Sequence, residues 1–131
     1  MTTKPFMCLA LGCALTASIF AYDQVMADTW LSAPTAELQT LDKITARIDT
    51  LTLAVDTPVR FGTLEIILRH CAYRPPEEPP EHAAFLELRD LGYENAGGEL
   101  IFSGWTFASS PAISALEHPV YDVSVTACIK D

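Results

Sequence analysis

The chain predicts an all-β fold, a small β-sandwich or open barrel with one short helical segment, preceded by a signal peptide. From Leu41 onward apolar residues recur with period two rather than 3.6. Turn-forming clusters separate these alternating runs at short intervals. An uncharged apolar run over residues 6–20 lies between Lys4 and the small-residue site Val25-Met26-Ala27, the pattern of a secretory signal.

The leader comes first in the chain. Its apolar run is shorter than the ~20 residues of a comfortable membrane span. Cleavage after Ala27 makes Asp28 the first mature residue, with a cut after Ala21 as the alternative. Leu11-Gly12-Cys13 loosely resembles a lipobox, but Ala10 stands where a large aliphatic residue is preferred and the leader before Cys13 would be very short. No second apolar stretch approaches spanning length, so the processed protein is expected to have no transmembrane segment. Its compartment is expected to be the periplasm or the exterior.

Residues 28–40 are small and polar around Pro34 and read as a flexible N-terminal arm. The single β domain is expected over residues 41–131. Ile44, Ala46 and Ile48 alternate with Lys43, Thr45 and Arg47; Leu51, Leu53 and Val55 then alternate with Thr50, Thr52 and Ala54. The change of parity places a turn or bulge at Asp49-Thr50. Asp56-Thr57-Pro58 is a turn. Residues 59–71 form the longest strand candidate, with Leu64, Ile66 and Leu68 on one face and a bend at Gly62. Ala84, Leu86 and Leu88 face inward from the next strand. Asn95-Ala96-Gly97-Gly98 is a turn, and residues 99–107 follow as a strand apolar on both faces. Residues 111–117 predict one or two helical turns, capped by Ser109 or Ser110 with Pro111 near the first position. Residues 121–129 close the fold as a strand.

With 8 basic and 17 acidic residues the net charge is −9. The leader carries one charge of each sign, Lys4 and Asp23, so the remainder is also −9. Such a balance excludes nucleic acid as a partner, which needs basic patches, and opposes an anionic membrane surface. Cys8 and Cys13 leave with the leader. Cys71 and Cys128 remain, nearly sixty residues apart, and an oxidising compartment predicts one disulfide that stabilises by about 4 kcal/mol. The spacing fits neither a two-cysteine metal site nor a redox pair. In strands without bulges, Cys71 shares parity with Thr63, Glu65 and Arg69, and Cys128 with Asp122, Ser124 and Thr126. Both then point away from the core, toward the rim.

Two segments stand out as a candidate interaction surface. Arg74-Pro75-Pro76-Glu77-Glu78-Pro79-Pro80-Glu81-His82 holds four prolines in six positions, which biases it toward exposed, extended polyproline. It reads as a stiff recognition loop or as a rigid connection. The second segment, Trp105 to Pro111, includes Phe107, Ser109 and Ser110; its aromatics are either a docking patch or core, with at least one expected to be buried. Glu77, Glu78, Glu81 and His82 lack the alternating ligands and turn glycine of a calcium loop, so no metal or cofactor is expected. Ser109 or Ser110 with His118 and Asp122 would make a hydrolase set, but no GxSxG elbow supports it. No catalytic residue is assigned.

Five ungapped words carry a family resemblance: Val59-Arg60-Phe61-Gly62-Thr63-Leu64-Glu65-Ile66, the proline segment from Arg74 to Glu81, Ala84-Phe85-Leu86-Glu87, Phe102-Ser103-Gly104-Trp105-Thr106-Phe107-Ala108-Ser109-Ser110-Pro111, and Ala115-Leu116-Glu117-His118-Pro119-Val120-Tyr121-Asp122-Val123. Over residues 41–128 the chain resembles the domain of unknown function numbered 2155, found in exported alphaproteobacterial proteins. The resemblance implies an exported domain without assigned chemistry. Members are often encoded near an accessory subunit of respiratory complex I, which is an association and not a mechanism. The expected function is a non-enzymatic module that binds or stabilises an envelope protein. The alternatives are a carbohydrate- or small-ligand-binding module, with Trp105, Tyr73 or Tyr121 stacking on the ligand, and a small hydrolase.

Overall fold

The computed structural model describes residues 29–92, 98–111 and 116–130. Among the described residues eight strands run in chain order: β1 Leu31–Ala33, β2 Thr35–Asp42, β3 Arg47–Ala54, β4 Val59–Phe61, β5 Leu64–Tyr73, β6 His82–Asp90, β7 Glu99–Phe107 and β8 Tyr121–Ile129. They form two antiparallel sheets. The larger has the order β1-β5-β6-β7, with β4 also on β5; the smaller has the order β3-β2-β8. Neither closes into a barrel, so the architecture is an open sandwich. The helical segment expected over residues 111–117 and the turn at residues 95–98 fall largely outside the described residues.

Alternation builds the core. Leu64, Ile66 and Leu68 of β5 and Leu86 and Leu88 of β6 are buried against Ala36 and Leu38 of β2, Leu53 of β3, and Val123 and Val125 of β8. These apolar side chains come from the inner faces of both sheets, and burial of each stabilises by about 1.5–3 kcal/mol. Thr40 and Thr106 are buried polar residues, and the Thr40 hydroxyl donates to the Asp49 carbonyl at 3.2 Å.

The first correction concerns residues 28–40. Residues 31–40 do not form an arm: β1 lies on β5 in one sheet and β2 is the centre of the other. Pro34 marks the crossing, and its carbonyl accepts the Val55 amide at 3.0 Å. A proline between strands of two sheets removes no ladder bond. The second correction moves a turn. It lies at residues 43–46, not at Asp49-Thr50, and β3 then runs unbroken. Asp42 Oδ1 accepts the amides of Ile44 and Thr45 at 2.9 and 3.2 Å. Ala46 takes a φ of 58°. Ile44 and Ile48 are exposed. The third concerns Gly62, where the chain reverses completely. Phe61 pairs with Leu64 across a two-residue turn, with Gly62 at φ 59°, a conformation that favours glycine.

The disulfide joins Cys71 to Cys128, with Cα atoms 5.8 Å apart. Its placement corrects the expected rim position, since the cysteines are only 0% and 7% exposed and belong to the core. Two bulges turn them inward. On β5 the register jumps from Leu68↔Leu86 to His70↔Phe85, leaving Arg69 as the extra residue. On β8 it jumps from Val125↔Leu38 to Ala127↔Glu37, leaving Thr126 extra. Each extra residue reverses the parity beyond it. Arg69 consequently points outward to Asp56 and Glu87, at 2.9 and 3.1 Å. Hydrogen bonds from the guanidinium to Asp56 and then Glu87 raise its already high pKa.

Candidate functional site

The β5 bulge also shapes the outer face of the larger sheet. Beyond it, His70 and Ala72 face outward while Cys71 faces in. Ladder pairing places Ala72 beside Ala83, and Ala83 beside Phe107. It likewise sets His70 beside Phe85, and Phe85 beside Trp105. Two alanines thus form a low floor flanked by aromatic rings. The result is an open groove of about 380 Å³ lined by Trp30, His70, Ala72, Ala83, Trp105 and Phe107. The Trp105 ring meets His70 and Phe85 edge-on, with centroids at 5.7 and 5.5 Å. Such T-shaped contacts fix an aromatic ring without burying it.

The proline-rich loop stands at one end of this groove. It connects β5 to β6 as a long hairpin, so it must reverse direction. The Glu78 amide donates to the Pro75 carbonyl at 3.1 Å, and the Arg74 amide to the Glu81 carbonyl at 3.1 Å. The segment is therefore turned at residues 75–78 rather than extended throughout, a correction that the pairing of Tyr73 with His82 enforces. Pro76, Glu77, Pro79 and Pro80 are exposed, as expected. The Arg74 guanidinium lies 4.9 Å from the centroid of Trp30 and 3.6 Å from Glu78. Stacking and ion pairing together hold the loop against the groove wall.

Residues 36–128 match the family described as "Uncharacterized protein conserved in bacteria (DUF2155)". The chain belongs to that family. It is similar to Uncharacterized protein RP359 of Rickettsia prowazekii (strain Madrid E), with 29% identity over 89 residues. That alignment covers 67% of this chain and 56% of the relative, so the chain spans little more than half of the relative's length. No solved structure matches. Within this DUF2155 domain the matched segment contains His70, Trp105, Phe107 and both cysteines, while Trp30 precedes it.

The two candidate segments read from the sequence come together in the fold. Ser109 donates its amide to Glu81 Oε1 at 3.1 Å, and its hydroxyl bonds Glu81 Oε2. Partial burial pushes the Glu81 carboxyl upward, but the hydrogen bonds from Ser109, then the His82 amide, and then the positive charge of Arg74 outweigh it and hold the pKa below the usual value. Ser110 donates its amide to the Phe107 carbonyl at 3.3 Å. Trp105 is 41% exposed and Phe107 half-buried. Neither is a core aromatic; Thr106 between them faces inward and bonds the Ala84 carbonyl. Trp30, 39% exposed, was not singled out in the sequence. A tryptophan within an otherwise small and polar stretch was the available signal.

Other residues are committed elsewhere. His82 stacks on Tyr73 at 6.3 Å, and its Nδ1 accepts the Cys128 amide at 3.0 Å. That contact supports the disulfide strand rather than the groove. Lys130 lies 5.0 Å from the centroid of the Tyr73 ring. His118 Nδ1 accepts the amides of Val120 and Tyr121 at 3.0 and 3.1 Å, which places its proton on Nε2, facing Asp90 at 3.1 Å. This bond, and the Gly92 amide after it, lower the Asp90 pKa. Both ring nitrogens of His118 are thus engaged away from Ser109, Ser110 and Asp122. Asp122 pairs with Leu41 in the smaller sheet.

Proposed function

We propose that this DUF2155 protein is an exported, periplasmic, non-enzymatic module that holds a partner protein of an envelope complex. The contact surface is the outer face of the larger sheet, from the proline-rich loop across the groove to β7. The observation that supports it is the pair of half-exposed tryptophans, Trp30 and Trp105, over a floor of alanines. Tryptophan is the residue type most enriched among interface hot spots. Its rings here are pre-oriented by Arg74, His70 and Phe85, which lowers the ordering cost of binding.

The test is crosslinking of a tagged copy at native level, stringent purification and mass spectrometry. One stoichiometric partner is expected, retained by the parent and lost on Trp105→Ala. A partner unaffected by Trp105→Ala, in a folded variant, removes the groove from the contact.

A second reading rests on the groove's size. Its volume of about 380 Å³ falls within the range of about 300–1,000 Å³ occupied by small-ligand pockets. A sugar or other flat ligand would stack on Trp105. Titration of tryptophan fluorescence with a glycan panel separates the readings: saturable quenching lost in Trp105→Ala favours the ligand, and an unresponsive signal favours the protein partner.

A further inference from the structure

We infer that the partner supplies an extended segment that adds as a strand to the outer edge of β7, with Lys or Arg flanking both of its ends. This rests on the protein-binding reading above and specifies its chemistry. Among the described residues β7 pairs with β6 alone, and its other side forms the edge of the larger sheet. Ala108 donates its amide to the His82 carbonyl at 2.9 Å. Antiparallel alternation then turns the backbone N–H and C=O of Ser103 and Trp105 away from β6, toward the open edge.

Other edges of this fold are blunted in the usual ways. β1 and β4, which flank β5, have three residues each. β3 begins with the exposed charges of Arg47 and Asp49, paired at 3.5 Å. β8 is broken by the Thr126 bulge, and its Cys128 amide is taken by His82. β7 has nine residues, no proline and no basic residue, and its one charge is Glu99 at the first position. Its bulge lies at Ile101, which leaves residues 102–107 regular. Leu100 and Trp105 are exposed along it. A long, apolar, undefended edge is a template for strand addition, and an added strand sets alternate side chains beside Trp105, at the groove wall.

Charge selects the occupant. At the Phe107 end stand Glu77, Glu78 and Glu81 against Arg74 and Lys130; at the other stand Glu99 and Asp90 against Arg89. Both ends are net acidic, in a chain of net charge −9. Antiparallel pairing of β7 with a second copy would bring Glu99 of each toward the acidic loop end of the other. A basic-flanked partner strand meets complementary charge at both ends.

The probe is a synthetic peptide of about ten residues, roughly the span of β7, with alternating Val and Thr and a Lys-Arg pair at each end. Its controls are a Glu-flanked version and one N-methylated at alternate amides. Amide exchange and chemical shifts of the full mature protein are read at Ser103 and Trp105. The Lys-Arg peptide is expected to protect both amides, to bind at least about tenfold more tightly than the Glu-flanked one, and to weaken with salt. N-methylation on the pairing edge should abolish binding. Ser103→Pro should do the same, since it deletes an outward N–H without touching the β6 ladder. Equal binding of both flanking charges, or no protection by the Lys-Arg peptide, overturns the proposal. So does concentration-dependent protection without peptide, which marks a second copy as the occupant. In the crosslinking assay, a native partner kept by Ser103→Pro but lost by Trp105→Ala removes strand addition and leaves the module reading intact. A partner kept by both variants removes the groove as well as the strand, and the absence of any stoichiometric partner removes the module reading.

Discussion

Breaking the Cys71–Cys128 bond is expected to remove a large share of the domain's stability. The bond closes a loop of 57 residues. Chain-entropy arithmetic for that length gives about 4 kcal/mol, against a total of about 5–15 kcal/mol for an ordinary domain. Reduction is the cleaner perturbation, because it keeps both sulfurs in the core. A disulfide sulfur carries no hydrogen, but Cys128 Sγ lies 3.4 Å from the Ala72 and Ala83 carbonyls, which are placed to accept from the thiol that reduction creates. The loss is therefore expected to come from the freed unfolded chain and not from an unpaired buried donor. Urea melts of the oxidised and reduced protein measure it. With a slope of about 1–3 kcal/mol per molar, the midpoint should fall by about 1.5–4 M, and the slope should rise because the freed unfolded chain exposes more surface. Intact mass must differ by two hydrogens between the forms. Because both cysteines are buried, reductant should act slowly on the native protein and quickly once denaturant opens it. Unfolding free energies agreeing to within about 0.5 kcal/mol, or two thiols alkylated without reductant, would refute the reasoning.

Gly62→Ala is expected to destabilise by about 2–4 kcal/mol, because Gly62 has a φ of 59° and an added Cβ would collide with the Tyr121 ring; a thermal melt unchanged from the parent would contradict this. Thr106→Val should cost about 1 kcal/mol through the lost hydrogen bond to Ala84, measured by the same urea titration. Glu81 and Asp90 both have lowered pKa values in the fold. The stability they contribute is fully present above the ordinary carboxylate values of about 4 and is lost as pH falls through the lowered folded values. Denaturation midpoints should therefore decline in acid below about pH 4, less steeply in Ser109→Ala; a flat profile to pH 3 argues against it. Acrylamide should quench both tryptophans of the native protein, since each is only half-buried.

Period-two patterning located the core faces of the long strands, because Leu64, Ile66 and Leu68, and Ala84, Leu86 and Leu88, obey it without interruption. It misread the chain around residues 43–48. Ile44, Ala46 and Ile48 alternate like a strand, yet Asp42 turns the backbone through its side chain. It also passed over Ala36, Leu38 and Thr40, whose alternation begins just past Pro34. The bulges at Arg69 and Thr126 carry no glycine or proline, so strand parity alone put both cysteines on the wrong side. For the site, the proline loop and Trp105 could be read as separate features. Their convergence could not, because it depends on the Tyr73–His82 hairpin and on Trp30 reaching the same groove from the far edge of the sheet.

The position of β8 bears on the order of events in folding. The centre of the smaller sheet, β2, is flanked by β3 and β8, and Thr35 pairs with Ile129. Ninety-four residues separate those partners in the chain, so the smaller sheet contains the slowest kind of contact to find. The β2–β3 and β5–β6–β7 hairpins need only local search. Until β8 docks, Leu38 and Leu53 lack one side of their enclosure, and the second sulfur has not reached the first. Assembly is therefore expected to wait on the last strand, and oxidation to record its arrival.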